Sequence, residues 1–375
     1  MSWLTLNWIV FWLAVIPWAL GIMNLFLFRA PKNTSSSTSV PPVSVLMPAR
    51  NEEARIRPAL ETIAETEGVE FELIIADDNS TDATADIVRE FAQNDPRIKL
   101  VSTPKLPEGW GGKNHACHFL STQAAHEHMV FIDADMIVSP DCFARLSAHL
   151  ANNKAALLSG IPLQETGSFW ERVVIPTIHV MMLGYLPFIG MRLTKSPGFG
   201  AAVGQIIAVR KKEYEEVGGH TAIKATMHDG VQLARTFRRN GLFTDLVNVT
   251  DLCATRMYDN LADIWAGFMK NAHEGIATPV ALPIWTVLLV GGHILPLVLL
   301  VIALAAGLEP VLAGAACLLI FSFRFILALR FHQSLLGAAL HPLGVGFMVV
   351  LNWIALFRRL AGRTVSWRDR AYDTN

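Results

Sequence analysis

Apolar residues in this chain form long unbroken runs near both ends and short alternating segments in the middle. Each long run contains roughly 20 mostly apolar residues, enough to cross a hydrocarbon core about 30 Å thick. The runs therefore predict membrane-spanning helices at 3–28, 283–306, 311–329 and 335–357.

The middle of the chain alternates between strand and helix patterns. Short apolar runs with β-branched residues predict strands, and spacings of three or four residues, as in Ile56, Leu60 and Ile63, predict helices between them. Such alternation predicts an α/β fold with a parallel, doubly wound sheet covered on both faces. The predicted strands are VSVLMPA (43–49), FELIIADD (71–78), IKLVS (98–102) and MVFIDADMIV (129–138).

These patterns divide the chain into consecutive parts. The first apolar run has no basic start and no small-residue cleavage site, so we predict an uncleaved anchor rather than a signal peptide. A polar, proline-punctuated linker follows it. The predicted parts are the anchor 1–28, the linker 29–42, a domain at 43–271, spanning or re-entrant segments at 283–357 and a basic tail at 358–375.

Composition and charge agree with a membrane protein. The chain is 52% hydrophobic and 17% charged, whereas soluble proteins carry about a quarter charged residues. Its formal net charge of −1 does not indicate a nucleic-acid partner. The four cysteines form no CxxC pair, which predicts free thiols in a reducing compartment.

The charges that flank the apolar runs give conflicting predictions of topology. Arg29 and Lys32 favour a cytoplasmic middle domain by the positive-inside rule. Three further crossings then place the C-terminus outside, although the tail at 358–375 is basic and favours the inside. A re-entrant segment would resolve the conflict, and 335–357, with Pro342 and three glycines, is the weakest predicted span.

Polar residues follow three of the predicted strands: PARNEE after the first, DDNSTD after the second and DAD after the fourth. The carboxyl ends of parallel strands lie at one edge of the sheet, where ligands of such folds bind. Asp133 and Asp135 are therefore predicted at a shared rim rather than in the core.

The DAD segment predicts a metal site. Two carboxylates flanking Ala134 repel each other unless a cation or hydrogen-bond donors compensate them. Mg²⁺ and Mn²⁺ prefer few protein carboxylates together with phosphate oxygens, so we predict a metal between this pair and a diphosphate. The alternative is an ordinary strand end in which Asp135 caps a turn.

The other two rim segments also have structural explanations. Ser80 or Thr81 is expected to cap the next helix, and the acids of PARNEE favour a helix start. Capping does not explain Asp77 and Asp78. An acid at that position can accept a hydrogen bond from a ribose hydroxyl or a base N–H.

In this order, PARNEE, ADDNSTD and FIDAD resemble the inverting family 2 glycosyltransferases of GT-A fold, over about residues 43–258. The resemblance implies a nucleotide-sugar donor, usually UDP-linked, and a divalent metal, Mg²⁺ or Mn²⁺. It assigns nucleotide contacts to Pro48, Ala49, Glu52 and Asp78, and the D-x-D pair to Asp133 and Asp135, with Asp135 the closer match to the metal ligand.

A further segment resembles membrane-anchored members that act on lipids. LPEGWGGKNHA (106–116) is similar to the P-x-G-W-x-G-K-x-x-A element of hopene-associated and carotenoid-pathway glycosyltransferases. Lys113 opens a predicted helix after a glycine-rich loop, and a lysine at a helix N-terminus suits a diphosphate. The alternative is a surface loop with a solvated lysine.

MHDGVQLAR (227–235) resembles the E-D motif of the family, with His228 in place of the usual Glu. Inverting transfer needs a base for the acceptor hydroxyl, and the match assigns it to Asp229, whose alternative is a helix N-cap. The preceding GQIIAVRKKEYEEVGGH (204–220) resembles the acceptor-side element. The Q/R-x-x-R-W motif is absent, which argues against a processive polymer synthase, and Arg256 is the candidate to bind the leaving diphosphate.

The apolar segment 168–192 is interrupted by Pro176 and Pro187. A crossing there would place the DAD segment and Asp229 on opposite sides of the membrane. We therefore predict interfacial helices that lie on the membrane surface, beside the acceptor path.

Together these features predict an inverting enzyme that moves a sugar from a UDP-sugar to a hydroxyl of a membrane lipid. It is expected in the cell (inner) membrane, with several spans and a cytoplasmic catalytic domain. Two alternatives stay open: transfer to a polyprenyl phosphate, which needs no base, and an inactive membrane scaffold with a GT-A fold. The residues determine neither the sugar, the lipid nor the oligomeric state.

Overall fold

A computed structural model of the protein describes residues 1–33, 39–272, 275–361, 365–367 and 370–372. The chain divides into two compact units. The α/β unit comprises Phe28–Glu165 and Phe188–Met257, and the helical unit comprises Met1–Leu27, Thr166–Pro187 and Tyr258–Asn375. Parts of the predicted linker at 29–42 and of the basic tail at 358–375 lie outside the described residues.

The secondary structure alternates through the α/β unit and is helical at both ends of the chain. The strands are β1 (Val43–Ala49), β2 (Phe71–Asp77), β3 (Ile98–Ser102), β4 (His128–Ile132), β5 (Ile137–Val138), β6 (Ala155–Ile161), β7 (Leu163–Gln164), β8 (Ile206–Arg210), β9 (Phe243–Asn248), β10 (Cys253–Thr255), β11 (Val365–Trp367) and β12 (Arg370–Tyr372). The helices are α1 (Trp3–Leu27), α2 (Ile56–Ala64), α3 (Thr84–Asn94), α4 (Gly112–Gln123), α5 (Cys142–Ala151), α6 (Phe169–Val174), α7 (Thr177–Tyr185), α8 (Phe188–Leu193), α9 (Lys211–Glu216), α10 (Asp229–Arg239), α11 (Leu261–Ala272), α12 (Ala281–Leu289), α13 (Leu295–Ala306), α14 (Val311–Arg330), α15 (Leu335–Ala339) and α16 (His341–Leu360).

A seven-stranded sheet in the order β3-β2-β1-β4-β8-β6-β9 forms the centre of the α/β unit. Only β8 runs antiparallel to its neighbours in this sheet. Strands β1, β2, β4 and β6 of this sheet are apolar and almost fully buried, as expected where both faces are covered. One apolar cluster includes residues of α2 and α5, and a second includes residues of α4 and α10. The predicted mostly parallel, doubly wound α/β fold is confirmed.

The fourth predicted strand is interrupted at the DAD segment. β4 ends at Ile132, and β5 belongs to a separate small sheet in the order β5-β10-β7. Between them the chain turns, with the Met136 amide donating to the Asp133 carbonyl at 3.3 Å. The Asp133 amide in turn donates to the Gln205 carbonyl at 3.0 Å. The apolar run 129–138 is therefore not one continuous strand, because its two acids occupy a turn at the sheet edge.

Four helical stretches of the described chain are long and apolar enough to cross a membrane: α1, α12–α13 joined by a π-helical turn (Ala281–Ala306), α14 and α16. The predicted segment 335–357 divides into the short α15 and the long α16. The predicted interfacial segment 168–192 forms the three short helices α6, α7 and α8, and none of the four candidate spans includes it.

Arg238, at the end of α10, is a buried structural cation of the α/β unit. Its guanidinium donates to the carbonyls of Met191 (2.7 Å), Thr194 (2.9 Å) and Thr244 (2.9 Å), and to the Thr244 hydroxyl (2.7 Å). These bonds connect the end of α8 and the segment after it to β9. Arg238 thus binds carbonyls at the end of α8, just after it and on β9, the edge strand of the main sheet.

We expect Arg238→Met to lower the free energy of unfolding by about 3 kcal/mol, since it leaves two buried carbonyls and one part-buried carbonyl without their donor. The matched control is Arg239→Met, because Arg239 is the exposed neighbour on the same helix. Chemical unfolding of the detergent-solubilised protein, followed by fluorescence, measures both. Equal stability of the two variants would contradict the structural assignment.

Candidate active site

The ends of β1, β2 and β4 lie side by side at one edge of the sheet. β1 pairs in parallel with β2 on one side and with β4 on the other, and Ala49 lies opposite Asp77. The polar segments after these three strands therefore meet at a common rim, as the sequence predicts. Pro48 and Ala49 are the last two residues of β1.

The loops after β1 and β2 bind each other. The Asn51 amide donates to the Ser80 hydroxyl at 3.1 Å, and the Thr81 amide donates to the Asn51 side-chain oxygen at 2.9 Å. The residue before α3 is Ala83, whose side chain cannot cap the helix, and the first amide of α3, at Thr84, donates to Asp82 Oδ1 at 3.0 Å. The predicted cap by Ser80 or Thr81 is therefore wrong, because both residues are used to join the two loops.

Asp78 is held at this rim by contacts from three neighbours. Its amide donates to the Ala49 carbonyl at 2.8 Å, and its carboxylate accepts from the Thr103 hydroxyl at 3.3 Å. Arg50 donates to the Asp78 carbonyl at 3.0 Å and lies 3.8 Å from its carboxylate. Asp78 is only 5% exposed, so its orientation is fixed. Glu52, from the first loop, donates its amide to the Thr84 hydroxyl at 2.8 Å.

The Lys113 ammonium lies between the two acids that the sequence placed in separate motifs. Its Nζ is 2.7 Å from Asp133 Oδ1 and 3.0 Å from Asp229 Oδ2, and it donates to the Gly204 carbonyl at 3.1 Å. The Lys113 side chain as a whole is 35% exposed.

The charges in this cluster stabilise one another. Burial opposes the charge on Lys113, but Asp133 and Asp229 outweigh it and raise the pKa of the ammonium well above its ordinary value. Burial also opposes the charge on Asp229, but the Lys113 cation lowers the pKa of this carboxyl well below its usual range. Both groups are therefore ionised at neutral pH.

Backbone contacts to Asn114 explain how Lys113 meets Asp229. The Asn114 amide nitrogen donates to the carbonyls of Ile223 (2.9 Å) and Thr226 (2.8 Å). This side chain fixes the start of α4 against the segment that leads into α10, at whose first residue Asp229 lies. Asn114 lies within a motif noted in the sequence, but that motif does not reveal this function.

Gly204 and Gly230 allow the close approach on which the site depends. A Cβ atom at position 204 would overlap the Asp229 carboxylate, and one at 230 would lie 2.6 Å from the Ala202 carbonyl. The backbone carbonyl of Gln205, the residue after Gly204, accepts a hydrogen bond from the Asp133 amide. The segment 202–205 thus supports both acids, which sequence reasoning did not predict.

Asp135 has a more distant cationic partner than Asp133. Its Oδ1 is buried without a hydrogen-bond partner, and its Oδ2 lies 3.9 Å from the Arg55 guanidinium. Burial and the nearby charges of Asp133 and Glu52 raise the pKa of Asp135 to about 6.

A divalent cation beside Asp135 would supply the missing partner of its buried oxygen. No group of three or more His, Cys, Asp or Glu side chains suited to a metal occurs in the described part of the chain. Mg²⁺ and Mn²⁺ often bind through one or two carboxylates together with substrate phosphates. Asp133 and Asp135 therefore fit a cation whose coordination a diphosphate completes.

Arg256 follows directly after β10, in the small sheet beside the DAD turn. Ala254 pairs with Ile137, so Arg256 lies two residues beyond this pair on one strand and Asp135 two residues before it on the other. Arg256 is exposed. Because the two strands are antiparallel, Arg256 therefore lies across from Asp135, next to the candidate metal site.

A family model described as "Glycosyl transferase family 21" matches residues 9–375. The chain is 26% identical over 235 residues to a 4,4'-diaponeurosporenoate glycosyltransferase of Staphylococcus haemolyticus (strain JCSC1435), covering 62% of this chain and 59% of the relative. It is 26% identical over 241 residues to the protein of the same name from Staphylococcus aureus (strain MRSA252), covering 62% and 61%. The chain thus spans about three fifths of the length of these curated relatives.

Among solved structures, the fold is similar to that of the mannosyltransferase PcManGT from Pyrobaculum calidifontis, in complex with GDP-Man and Mn²⁺. The TM-score is 0.55 at 20% identity, with 95% of this chain and 99% of that chain covered. At this identity the similarity concerns the fold alone. It confirms the predicted GT-A fold.

We expect Gly204→Ala to reduce catalytic activity about 100-fold without unfolding the protein, because the added methyl displaces the Asp229 carboxylate. Gly198→Ala is the control, since a Cβ there would come no closer than 3.7 Å to the Ser196 hydroxyl. Product formation by the two purified variants, at matched thermal stability, tests this. Wild-type activity in Gly204→Ala would show that the contact is not needed.

Proposed function

This chain belongs to glycosyl transferase family 21, and we propose that it transfers a sugar from a UDP-sugar to a hydroxyl of a membrane lipid. We further propose inversion at the anomeric carbon and dependence on a divalent metal. The observation that carries the proposal is the Lys113 ammonium between Asp133 and Asp229. It joins the candidate metal and diphosphate site to the candidate base.

In this proposal Asp135 and Asp133 hold Mg²⁺ or Mn²⁺, which supplies neutralising charge for the diphosphate of the donor. Pro48, Ala49, Glu52 and Asp78 contact the nucleoside part. Asp78 is suited to this because its fixed carboxylate can accept from a ribose hydroxyl or a base N–H. Arg256 binds the leaving diphosphate.

Asp229 acts as the base for the acceptor hydroxyl. While Lys113 is 3.0 Å away, the cation stabilises the carboxylate and makes it a weak base. The donor diphosphate competes with Asp229 for the same ammonium. Donor binding therefore draws Lys113 away from Asp229 and strengthens the base only when a sugar is ready for transfer.

Several features support the acceptor and the location. Four described helical stretches are long and apolar enough to cross a membrane, so an apolar acceptor can stay in hydrocarbon during the reaction. The two relatives are named 4,4'-diaponeurosporenoate glycosyltransferase, and an -oate is a carboxylate, so their names support an apolar acceptor but not a hydroxyl in particular. We place the enzyme in the cell (inner) membrane with its α/β unit in the cytoplasm. The solved neighbour holds GDP-Man, so UDP- and GDP-sugars should be compared directly as donors.

Two other functions make different demands on these residues. A polyprenyl phosphate acceptor is already ionised and needs no base, so Asp229 would matter little. An inactive scaffold would need no metal-dependent nucleotide binding. The buried oxygen of Asp135 that lacks a hydrogen-bond partner favours an enzyme, because leaving it unpaired costs free energy unless a cation completes the site.

We expect Asp229→Asn to lower transfer at least about 100-fold, because the amide cannot accept the hydroxyl proton. The assay is lipid mass spectrometry of cells that lack the gene and carry each variant, in which the restored glycolipid identifies sugar and acceptor. Asp141→Asn is the control, as its side chain is 46% exposed and pairs with Arg145 at 3.2 Å. A mild effect of Asp229→Asn would favour the polyprenyl phosphate acceptor.

We expect calorimetry to detect UDP binding only when Mg²⁺ or Mn²⁺ is present, and chelation to abolish it. Asp135→Ala should remove the metal-dependent part, because it deletes the buried oxygen that lacks a partner. Asp141→Asn should bind as the wild type does. Absence of metal-dependent UDP affinity in the wild type would favour the scaffold.

A further inference from the structure

The helical unit contains a buried network of hydrogen-bonded polar groups that the proposed reaction does not use. Arg324 lies within the candidate span α14 and is 1% exposed. Its NH1 donates to Gln333 Oε1 at 2.7 Å, and the Gln333 amide nitrogen is 3.0 Å from His179 Nδ1 on α7. His179 is also 1% exposed.

The direction of these hydrogen bonds follows from Arg324, which can only donate. Gln333 therefore accepts through its oxygen and donates through its nitrogen, so His179 Nδ1 accepts. A neutral imidazole that accepts at Nδ1 carries its proton at Nε2. Both His179 Nε2 and Arg324 NH2 are buried without a hydrogen-bond partner. The hydrogen-bonded series Arg324–Gln333–His179 thus has an unpaired donor at each end.

The charge of Arg324 is also uncompensated. The described residues provide no carboxylate within 4.0 Å of its guanidinium. An unpaired cation in a membrane-spanning segment is costly and usually marks a functional site. A water molecule could accept from the two donors, but it would not neutralise the charge.

A second buried network of hydrogen-bonded polar groups lies in the same unit. The Tyr185 hydroxyl is 2.8 Å from His293 Nε2, and His293 Nδ1 is 3.0 Å from His341 Nε2. His293 lies in the π-helical turn between α12 and α13, and such turns frequently occur at functional sites. His341 Nδ1 is buried without a partner, and the hydrogen bonds of this second network fit either tautomer of its imidazole. This turn packs against both α14 and α16.

We propose that Arg324 and His179 form a binding site for the anionic headgroup of an amphiphile, a carboxylate or a phosphate, within the helical unit. An anionic oxygen accepts from the unpaired donors and neutralises the guanidinium, which no neutral headgroup does. The proposal concerns the helical unit alone. It does not depend on the sugar, the metal or Asp229.

The test uses the full chain in nanodiscs of phosphatidylcholine, alone or with phosphatidylglycerol, and measures retained anionic lipid by native mass spectrometry and the midpoint of thermal unfolding. We expect saturable retention and stabilisation by phosphatidylglycerol in the wild type. Arg324→Met should weaken the apparent affinity about tenfold or more, since it removes charge-assisted hydrogen bonds. The control is Arg330→Met, an exposed arginine at the end of the same helix.

A variant that fails to fold is recognised in phosphatidylcholine alone, where Arg324→Met should be at least as stable as the wild type because no unpaired charge is buried. If Arg324→Met is less stable than the wild type there, lipid retention is compared between the wild type and His179→Phe instead. His179→Phe removes one donor and keeps the Arg324 charge. A second arm adds sodium phosphate to phosphatidylcholine discs. Stabilisation by phosphate that depends on Arg324 supports the anion site with a soluble source. Equal retention of phosphatidylglycerol by the wild type, Arg324→Met and His179→Phe, with no effect of phosphate, would overturn the proposal.

Discussion

The candidate site depends on the ion pairs of the Lys113 ammonium with Asp133 and Asp229. Parallel strands deliver acids to one edge of the sheet, and the start of α10 adds Asp229. Without a cation these carboxylates would repel one another in a partly buried place. Lys113 contacts Asp133 at 2.7 Å and Asp229 at 3.0 Å, which allows both to stay charged. The same ammonium is the group that a diphosphate would attract.

The surrounding fold fixes this ammonium through backbone contacts rather than through further charges. Asn114 attaches α4 to the segment before α10, and Gly204 offers both a carbonyl to Lys113 and space to Asp229. Asp135 lies outside this arrangement, with one buried oxygen lacking a partner. The site therefore separates a compensated half, around Lys113, from a half that a metal ion would complete.

The two units solve the problem of buried charge in different ways. In the α/β unit, Arg238 is enclosed by carbonyls that accept from its guanidinium. In the helical unit, Arg324 has one acceptor, Gln333, and an unpaired NH2. Both are arginines with 2% exposure or less. The difference lies in the supply of acceptors, since a helix end and an edge strand leave carbonyls free, whereas the interior of a helix uses its carbonyls internally.

The sequence alone determined the class of fold, the approximate positions of the apolar helices and the identity of the rim. Periodicity and strand polarity are local properties, and parallel strands always bring their carboxyl ends to one edge. The polar segments PARNEE, DDNSTD and DAD could thus be assigned to one place from strand order and direction. The family resemblance added the expected function and the expected site residues.

Only the tertiary structure decided which of these side chains touch. The sequence separates Lys113, Asp133 and Asp229 by up to 116 residues. No local pattern indicates that the two carboxylates contact the same Lys113 ammonium. It also placed Ser80 and Thr81 at a helix cap, where the structure uses them to join two loops. Hydrogen-bond partners and close approaches such as that at Gly204 depend on how separate segments pack, and that information is distributed over the whole chain rather than held in any one motif.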